Sequence, residues 1–406
     1  MVRQPKVPSA DLPSLAKVAW LNDGRLQEVM STFMLAGGEV RIIGGAVRNT
    51  LLDLPVADID LATTLEPQEV VRIASQEKFG VHLTGFDHGT VTVVNGGGVY
   101  QVTSLRRDVA TDGRRAVVAY STDWAEDAHR RDFTMNALSC DAMGRCYDYT
   151  SGYADILKRK VRFVGVAAQR IAEDYLRILR FFRFHATFGV GAPDRAGVAA
   201  CEAQAQGIKS LSAERVRQEL LKLLVAPRAV ATLKVMAKRG ILAHVIEYTN
   251  VWRVLERLPR DGILRLFVLA QMPNQLAVDL RLSNAEAKRL AALTVAPALS
   301  PDFNLHERKV LLYSMGADCW RDAVHLGWAK AREKSADAAW QALLDLPKNW
   351  PIPVFPVKGL DLRSLGHVSG PRMGVLLREL EDWWLASDFK PGKEELLQRV
   401  KVEDGK

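Results

Sequence analysis

The sequence predicts an α+β protein, with a head of mixed strands and helices over roughly the first 160 residues and an all-helical remainder. Three observations carry this. Alternating apolar runs punctuated by glycine clusters lie before residue 160. After about residue 165 the apolar residues recur at helical spacing. The chain has 406 residues, enough for two or more domains with separate cores.

The elements follow in order. "EVRIIGG" reads as a strand entering a glycine turn, and "AVRNTLL" as the helix after it. "ADIDLA" reads as a second strand. "GTVTVVNGGGVYQVTSLRRD" reads as a hairpin turning at "NGGG". "CYDYTSGYADILKRKVRFVG" offers one more short strand pair. "AEDYLRILRFFRFHATFG" carries Tyr175, Ile178, Leu179 and Phe182 on one helical stripe. "SLSAERVRQELLKLLVAP" opens with a serine able to cap a helix and stops before Pro227. Helices then dominate to the end, as in "AVATLKVMAKRGILAHV" and "LSNAEAKRLAALTVA". The proline-rich stretch 346–359, "LPKNWPIPVFPVKG", reads as a linker or rigid connector.

Bulk properties narrow the function. Apolar residues make up 48% and charged residues 25%, an ordinary globular composition. No apolar run is long enough to span a membrane, and "MVRQPKVPSADLPSLAKVAW" lacks the apolar core of a secretory signal. Cys140, Cys146, Cys201 and Cys319 form no CxxC pair, so they read as reduced thiols of a cytoplasmic protein. The net charge of +8 fits a polyanionic partner.

Chemistry concentrates in "RIIGGAVRNTLLDLPVADIDLATT", residues 41–64. On a strand, residues two apart point the same way. Asp58 and Asp60 therefore project together, while Ile59 and Leu61 face the core. Two convergent carboxylates suit a hard cation such as Mg²⁺, which takes oxygen ligands and shares them with phosphates. Gly44 and Gly45 stand where a helix begins, with backbone N–H groups facing a phosphate site. Arg48 in the first turn adds a guanidinium fork. Each feature alone is common; their combination within 17 residues is not.

With those residues in place, "GGAVRNTLLDLPVADIDLAT" resembles the first motif of the class II (bacterial and eukaryotic) tRNA nucleotidyltransferase and bacterial poly(A) polymerase family. The likeness continues through "YSTDWAEDAHRRDFTMNAL", "RIAEDYLRILRFFRFHA" and "LSAERVRQELLKLL", covering about residues 38–226. It implies a polymerase-β-like nucleotidyltransferase head over 1–160, a helical neck over 161–226 that selects the nucleotide, and a helical body and tail over 227–406 that binds tRNA. Arg131 and Asp132 match family positions contacting the triphosphate and ribose. Asp174 and Arg177 match the pair that reads the Watson–Crick edge of CTP or ATP. Set three apart on a helix they would share a face, and Arg180 and Arg183 extend the row. Cytosine and adenine offer an amino group to a carboxylate, whereas uracil and guanine present a carbonyl there. An ordinary i,i+3 ion pair between Asp174 and Arg177 is the competing reading. Residues 108–124 resemble the flexible loop that switches specificity from C to A, with a charged turn at Asp112, Gly113, Arg114 and Arg115. "LSAERVRQEL" resembles the motif stabilising the neck.

The sequence departs from the family at Gln101 in "YQVTSLR", where a third carboxylate is usual. An amide ligates Mg²⁺ weakly and is a far poorer general base. Asn49 stands where Asp is usual after the arginine, and still suits orienting Arg48. His88 and the pair Trp383–Trp384 read as structural. The resemblance implies addition of CCA to the tRNA 3′ acceptor end from CTP and ATP, by a Mg²⁺-dependent monomer or homodimer. Poly(A) addition, CC-only or A-only addition, and an RNA-binding form disabled by Gln101 remain open from the sequence.

Overall fold

The computed structural model describes residues 12–112, 115–331, 337–365 and 370–403. The described residues fall into two compact units, one comprising those up to 248 together with 279–281, the other those of 249–278 and from 282 onward.

The first unit opens with α1 (Gly24–Leu35), capped by the Asp23 side chain. Then come β1 (Val40–Ile43), α2 (Gly45–Leu51), β2 (Ile59–Thr63), α3 (Pro67–Gln76) and β3 (Gly80–His82). β4 (Thr90–Asn95) and β5 (Gly98–Ser104) form the expected hairpin. Its two-residue turn, Gly96–Gly97, has φ of 53° and 84°, the left-handed conformation that two-residue hairpin loops require. β6 (Arg106–Asp112) and β7 (Arg115–Tyr120) follow, then α4 (Trp124–His129), β8 (Ser139–Cys140), β9 (Cys146–Tyr147) and α5 (Gly152–Leu157). The main sheet has the order β3-β4-β5-β2-β1-β8-β9. β2 and β5 run parallel and the other neighbours antiparallel. An arginine is tolerated inside β1 because Arg41 lies between the rings of Trp124 and Tyr147, 4.0 and 3.7 Å from their centroids.

Helices complete the unit: α6 (Ala167–Glu173), α7 (Leu176–Phe188), α8 (Arg195–Ala203), α9 (Ala213–Leu224) and α10 (Ala229–Lys238). α7 buries Ile178, Leu179, Phe181 and Phe182 completely or nearly so. Phe181 and Phe184 pack with Phe133 and Phe163 at centroid distances of 5.1–6.3 Å, which ties the helices to the sheet.

Four expectations need correction. The strand pair sought in 146–165 uses β9, but its partner is β8 upstream; 152–157 is helical, and Phe163 makes only a bridge to Phe133. The helix expected to carry Asp174 and Arg177 together is broken at Asp174, whose φ/ψ of −157°/105° is extended. Residues 108–120 form the antiparallel ribbon β6–β7 rather than an open loop; Gly113 and Arg114 of its turn lie outside the described residues. Ser212 caps α9 by position but makes no side-chain cap bond.

The second unit is helical: α11 (Trp252–Arg257), α12 (Gly262–Leu269), α13 (Pro273–Asp279), α14 (Asn284–Val295), α15 (Leu305–Lys330, broken at Gly316), α16 (Asp337–Asn349), α17 (Gly359–Arg363), α18 (Pro371–Ala386) and α19 (Lys393–Glu403). Reciprocal capping boxes at Ser283/Glu286 and Asn304/Glu307 start α14 and α15. The proline-rich connector is packed: Trp350 and Ile352 join the cluster around Trp320, while Phe355 and Val357 join the cluster around Trp384. Trp384 is 2% exposed and Trp383 packs beside it, as a core assignment requires. His88 is exposed; its N–H donates to the Gly85 carbonyl at 2.8 Å and its carbonyl accepts from Arg106. No described helix is long and apolar enough to cross a membrane.

Candidate active site

The site grows from the end of β1. Gly44 takes φ +64° and caps α2, a backbone strained for any residue with a Cβ. A Cβ there would also approach the Arg131 guanidinium to 3.8 Å, so Arg131 lies over the turn. The Gly44 N–H is not free, since it donates to the Leu138 carbonyl at 3.1 Å. The unbonded donors of this helix start are therefore those of its first turn, from Gly45 onward.

Asp58 is exposed one residue before β2, and Asp60 is half-buried within it. Burial first, then the Asp58 charge, pushes the Asp60 carboxyl above its ordinary 3.8, with Arg131 opposing. Leu61 is fully buried as expected, but Ile59 only partly. Asp60 pairs with Gln101 across the parallel β2–β5 ladder, and Gln101 with Thr92 across the hairpin. Paired residues share a face, so the exposed Gln101 stands beside Asp60 on the side the carboxylates occupy.

Behind this edge stands a wall of arginines. Arg48 is 9% exposed. Its Nε and Nη2 donate to Asn49 Oδ1 at 3.1 and 2.7 Å, and its Nη1 to Asn136 Oδ1 at 2.5 Å. Its guanidinium lies over Phe188, 4.2 Å from the centroid. Burial, then the Arg183 charge, lowers its pKa to about 10, so it stays cationic at neutral pH. Asn49 thus orients the arginine as expected, though three of the five guanidinium N–H bonds are already committed.

Arg130 and Arg131 share the buried carboxylate of Asp127, Arg131 Nη2 at 2.8 Å and Arg130 Nε at 2.7 Å. Asp132 accepts from Arg180 Nε and Nη2 at 2.8 and 2.6 Å, from the Phe133 N–H at 2.8 Å and from Asn136 Nδ2 at 3.1 Å. A carboxylate has about four acceptor positions. All are occupied here, which leaves none open for the ribose hydroxyl expected of Asp132. Burial opposes its ionisation, but Arg180 and these donors outweigh it and hold its pKa below the ordinary value. Glu219 of α9, also buried, holds Arg183 Nε at 2.6 Å and Arg180 Nη1 at 3.6 Å.

The base-reading candidates are not paired with each other. Asp174 accepts from the Leu176 N–H at 3.0 Å and from Arg215 Nη2 at 2.7 Å. Arg177 is held by Glu173 and donates to the carbonyls of Arg170 at 2.8 Å and Arg130 at 3.3 Å. The simple i,i+3 ion pair is therefore not what the spacing encodes. Arg177 instead links α7 to the Arg130–Asp127–Arg131 group beside Asp60. Sequence reading passed over Asn136, Asp127, Glu219, Glu173 and Arg215. All five sit within the quoted motifs, but only burial and distance show which charges they hold.

The donor set fits a divalent cation. Among the described residues no three His, Cys, Asp or Glu side chains gather anywhere. The Asp58–Asp60 pair offers hard oxygen donors whose mutual repulsion a cation relieves, with substrate oxygens free to complete the shell.

A glycine turn, paired aspartates on the neighbouring strand and an arginine wall built from helices define a nucleotidyltransferase with a polymerase-β-like head. Residues 40–162 match the model of the poly A polymerase head domain, and residues 194–253 that of a probable RNA and SrmB-binding site of polymerase A. The chain is 36% identical over 380 residues to the mitochondrial CCA tRNA nucleotidyltransferase 1 of Danio rerio, covering 89% of this chain and 87% of that one. It is 31% identical over 378 residues to a CCA-adding enzyme of Streptococcus pneumoniae, covering 87% and 90%. The Bacillus stearothermophilus CCA-adding enzyme, solved in complex with CTP, superimposes with a TM-score of 0.79 at 25% identity, over 94% of this chain and 98% of that one. The chain belongs to the class II CCA-adding tRNA nucleotidyltransferase family. Enzymes of this head depend on a divalent metal.

Proposed function

We propose that this enzyme adds C, C and A to the 3′ end of tRNA from CTP and ATP, releasing pyrophosphate at each step. The observation that carries the reading is the apposition of Asp58 and Asp60 to Arg131 and the Gly44 turn. It sets a metal-binding edge beside a cationic wall, which is what transfer of a nucleotidyl group demands. Mg²⁺, held by Asp58 and Asp60, would supply Lewis-acid stabilisation of charge on the triphosphate.

The chain's own residues do the rest. Gly44 and Gly45 let the triphosphate approach the backbone closely. Among the described residues, the wall of Arg48, Arg130, Arg131, Arg180 and Arg183 forms ion pairs with three carboxylates, Asp127, Asp132 and Glu219, and a cation on Asp58 and Asp60 would leave the wall's remaining positive charge for phosphates. Asp132 positions Arg180 rather than binding sugar in this arrangement. Asp174 and Arg177, each fixed by other partners, offer their remaining acceptor and donor positions to the cytosine or adenine edge. Gln101 brings no charge beside Asp60, so proton removal from the tRNA 3′-hydroxyl does not fall to a third carboxylate there.

The division into a catalytic head (1–160), selecting neck (161–226) and tRNA-holding body and tail (227–406) belongs to this proposal. So do a cytoplasmic location and a monomeric or homodimeric state; relatives include mitochondrial enzymes. The test is incorporation of labelled CTP and ATP into a tRNA lacking its CCA end, with Mg²⁺. Addition of three nucleotides and then arrest is expected, with Asp60→Ala inactive. A lengthening A tail, or no product until Gln101→Glu is introduced, would overturn it.

A further inference from the structure

Outside the nucleotide site, β8 and β9 set Cys140 directly opposite Cys146. Both are free thiols, 0% and 3% exposed, and no step above uses either. The backbone fixes how they meet. Cys140 pairs with Ile42 of β1 on its other side. The Gly44 N–H donates to Leu138 O at 3.1 Å and the Asp141 N–H to Arg145 O at 3.0 Å. Hydrogen-bonding direction alternates along a strand, so Cys140 and Cys146 occupy a non-hydrogen-bonded position of their pair. Opposed Cα atoms there lie about 4.5 Å apart, within the roughly 4.4–6.8 Å that a disulfide spans. The Cys140 thiol donates to the Asp141 carbonyl at 3.4 Å, and the neighbouring Cys146 pushes Cys140 up while Cys140 draws Cys146 down, which favours Cys146 as the nucleophile. β9 is two residues long and ends the sheet, so a local opening that admits a small oxidant breaks few contacts.

We propose that Cys140 and Cys146 are a reversible dithiol–disulfide site oxidised by a peroxide. The Cys146 sulfur attacks one peroxide oxygen and the O–O bond breaks. The departing hydroxide takes up the thiol proton as water and leaves a sulfenic acid. The Cys140 sulfur then attacks that sulfur; the S–O bond breaks and a second water carries off the remaining thiol hydrogen. The two thiols together give up two electrons, and one peroxide becomes two waters. A small dithiol reductant reverses the linkage by exchange.

The test treats the full-length protein with hydrogen peroxide, then denatures, alkylates and maps it by mass spectrometry. Met143, 81% exposed in the loop between the two strands, reports effective dosing by its sulfoxide. The expected product links the Cys140 and Cys146 peptides with loss of two hydrogens, leaves Cys201 and Cys319 open to alkylation, and reverts with dithiothreitol. Cys140→Ser should remove the resolving thiol, so Cys146 passes to the sulfinic acid instead. A Cys201→Ser/Cys319→Ser protein, with β8 and β9 untouched, should still form the link. Full alkylation of Cys140 and Cys146 once Met143 is oxidised would overturn the proposal. So would linkage of either one to Cys201 or Cys319.

Discussion

Asn136 is the joint between Arg48 and Asp132, and replacing it with alanine tests whether the arginine wall is held as a network. Its Oδ1 takes Arg48 Nη1 at 2.5 Å, its Nδ2 reaches Asp132 Oδ1 at 3.1 Å, and the residue is 8% exposed. Each bond involves a charged partner, and such hydrogen bonds contribute about 1.5–3 kcal/mol each. Arg48 keeps its two bonds to Asn49, and Asp132 keeps Arg180 and the Phe133 N–H. Because those contacts survive, a total loss of ~3 kcal/mol is expected rather than the sum of the upper limits. A domain stable by about 5–15 kcal/mol remains folded after that loss. Urea unfolding followed by circular dichroism reads the stability, and CTP titration of incorporation reads the site. The midpoint should fall and the KM for CTP rise several-fold. Asn136→Asp should restore part of the stability by pairing with Arg48, but not all of it, because the new carboxylate faces Asp132. A loss below about 1 kcal/mol with unchanged KM would refute a networked wall.

Three further outcomes follow from the structure. Asp60 has a raised folded pKa, so its stabilising contribution is present below the ordinary 3.8 and is lost as pH rises through the folded value. Asp60→Asn should therefore be inactive yet more stable than the wild type at pH 7 under chelator, with the two converging as pH falls; equal stability at pH 7 would contradict the burial. His185 is lowered from 6.5 to about 4, chiefly by burial and then by Arg228. Its contribution is full above 6.5 and is lost as pH falls towards 4, so unfolding free energy should drop by ~2 kcal/mol more between pH 7 and 5 than in His185→Asn. Trp320 is fully buried and donates to Leu343 O at 2.8 Å. Trp320→Ala should cost ~3–5 kcal/mol and lower the melting transition of the second unit, while Arg48-dependent nucleotide binding in the first is unchanged; calorimetry resolves the two.

Much of the site is local, and local features are legible in a sequence. The Gly44–Gly45 turn, the helix carrying Arg48, the spacing of Asp58 and Asp60 and the Gly96–Gly97 hairpin each depend on residues close along the chain. Their conformations follow from the freedom of glycine, the two-residue period of a strand and the turn that short hairpins require. The parallel β2–β5 register sets Gln101 beside Asp60, at the position where the resemblance implies a third carboxylate. The helical stripe of α7 likewise needs only its own period.

What the sequence could not decide was which charge answers which. Asp174 and Arg177 are three residues apart, and spacing alone pairs them. The helix breaks at Asp174, so the carboxylate turns to Arg215, 41 residues away, and Arg177 turns to Glu173 and the carbonyls of Arg170 and Arg130. Arg180 finds Asp132 across 48 residues, and Arg48 finds Asn136 across 88. A buried charge must find a partner wherever the packed chain brings one near, and that choice is made by the meeting of α7 and α9 with the sheet. The sequence by itself determined the class of fold, the paired aspartates of β2 and the glycine turn, because these are settled by neighbours along the chain. Only the tertiary structure decided how the arginine wall is held, because desolvated ions are satisfied through space.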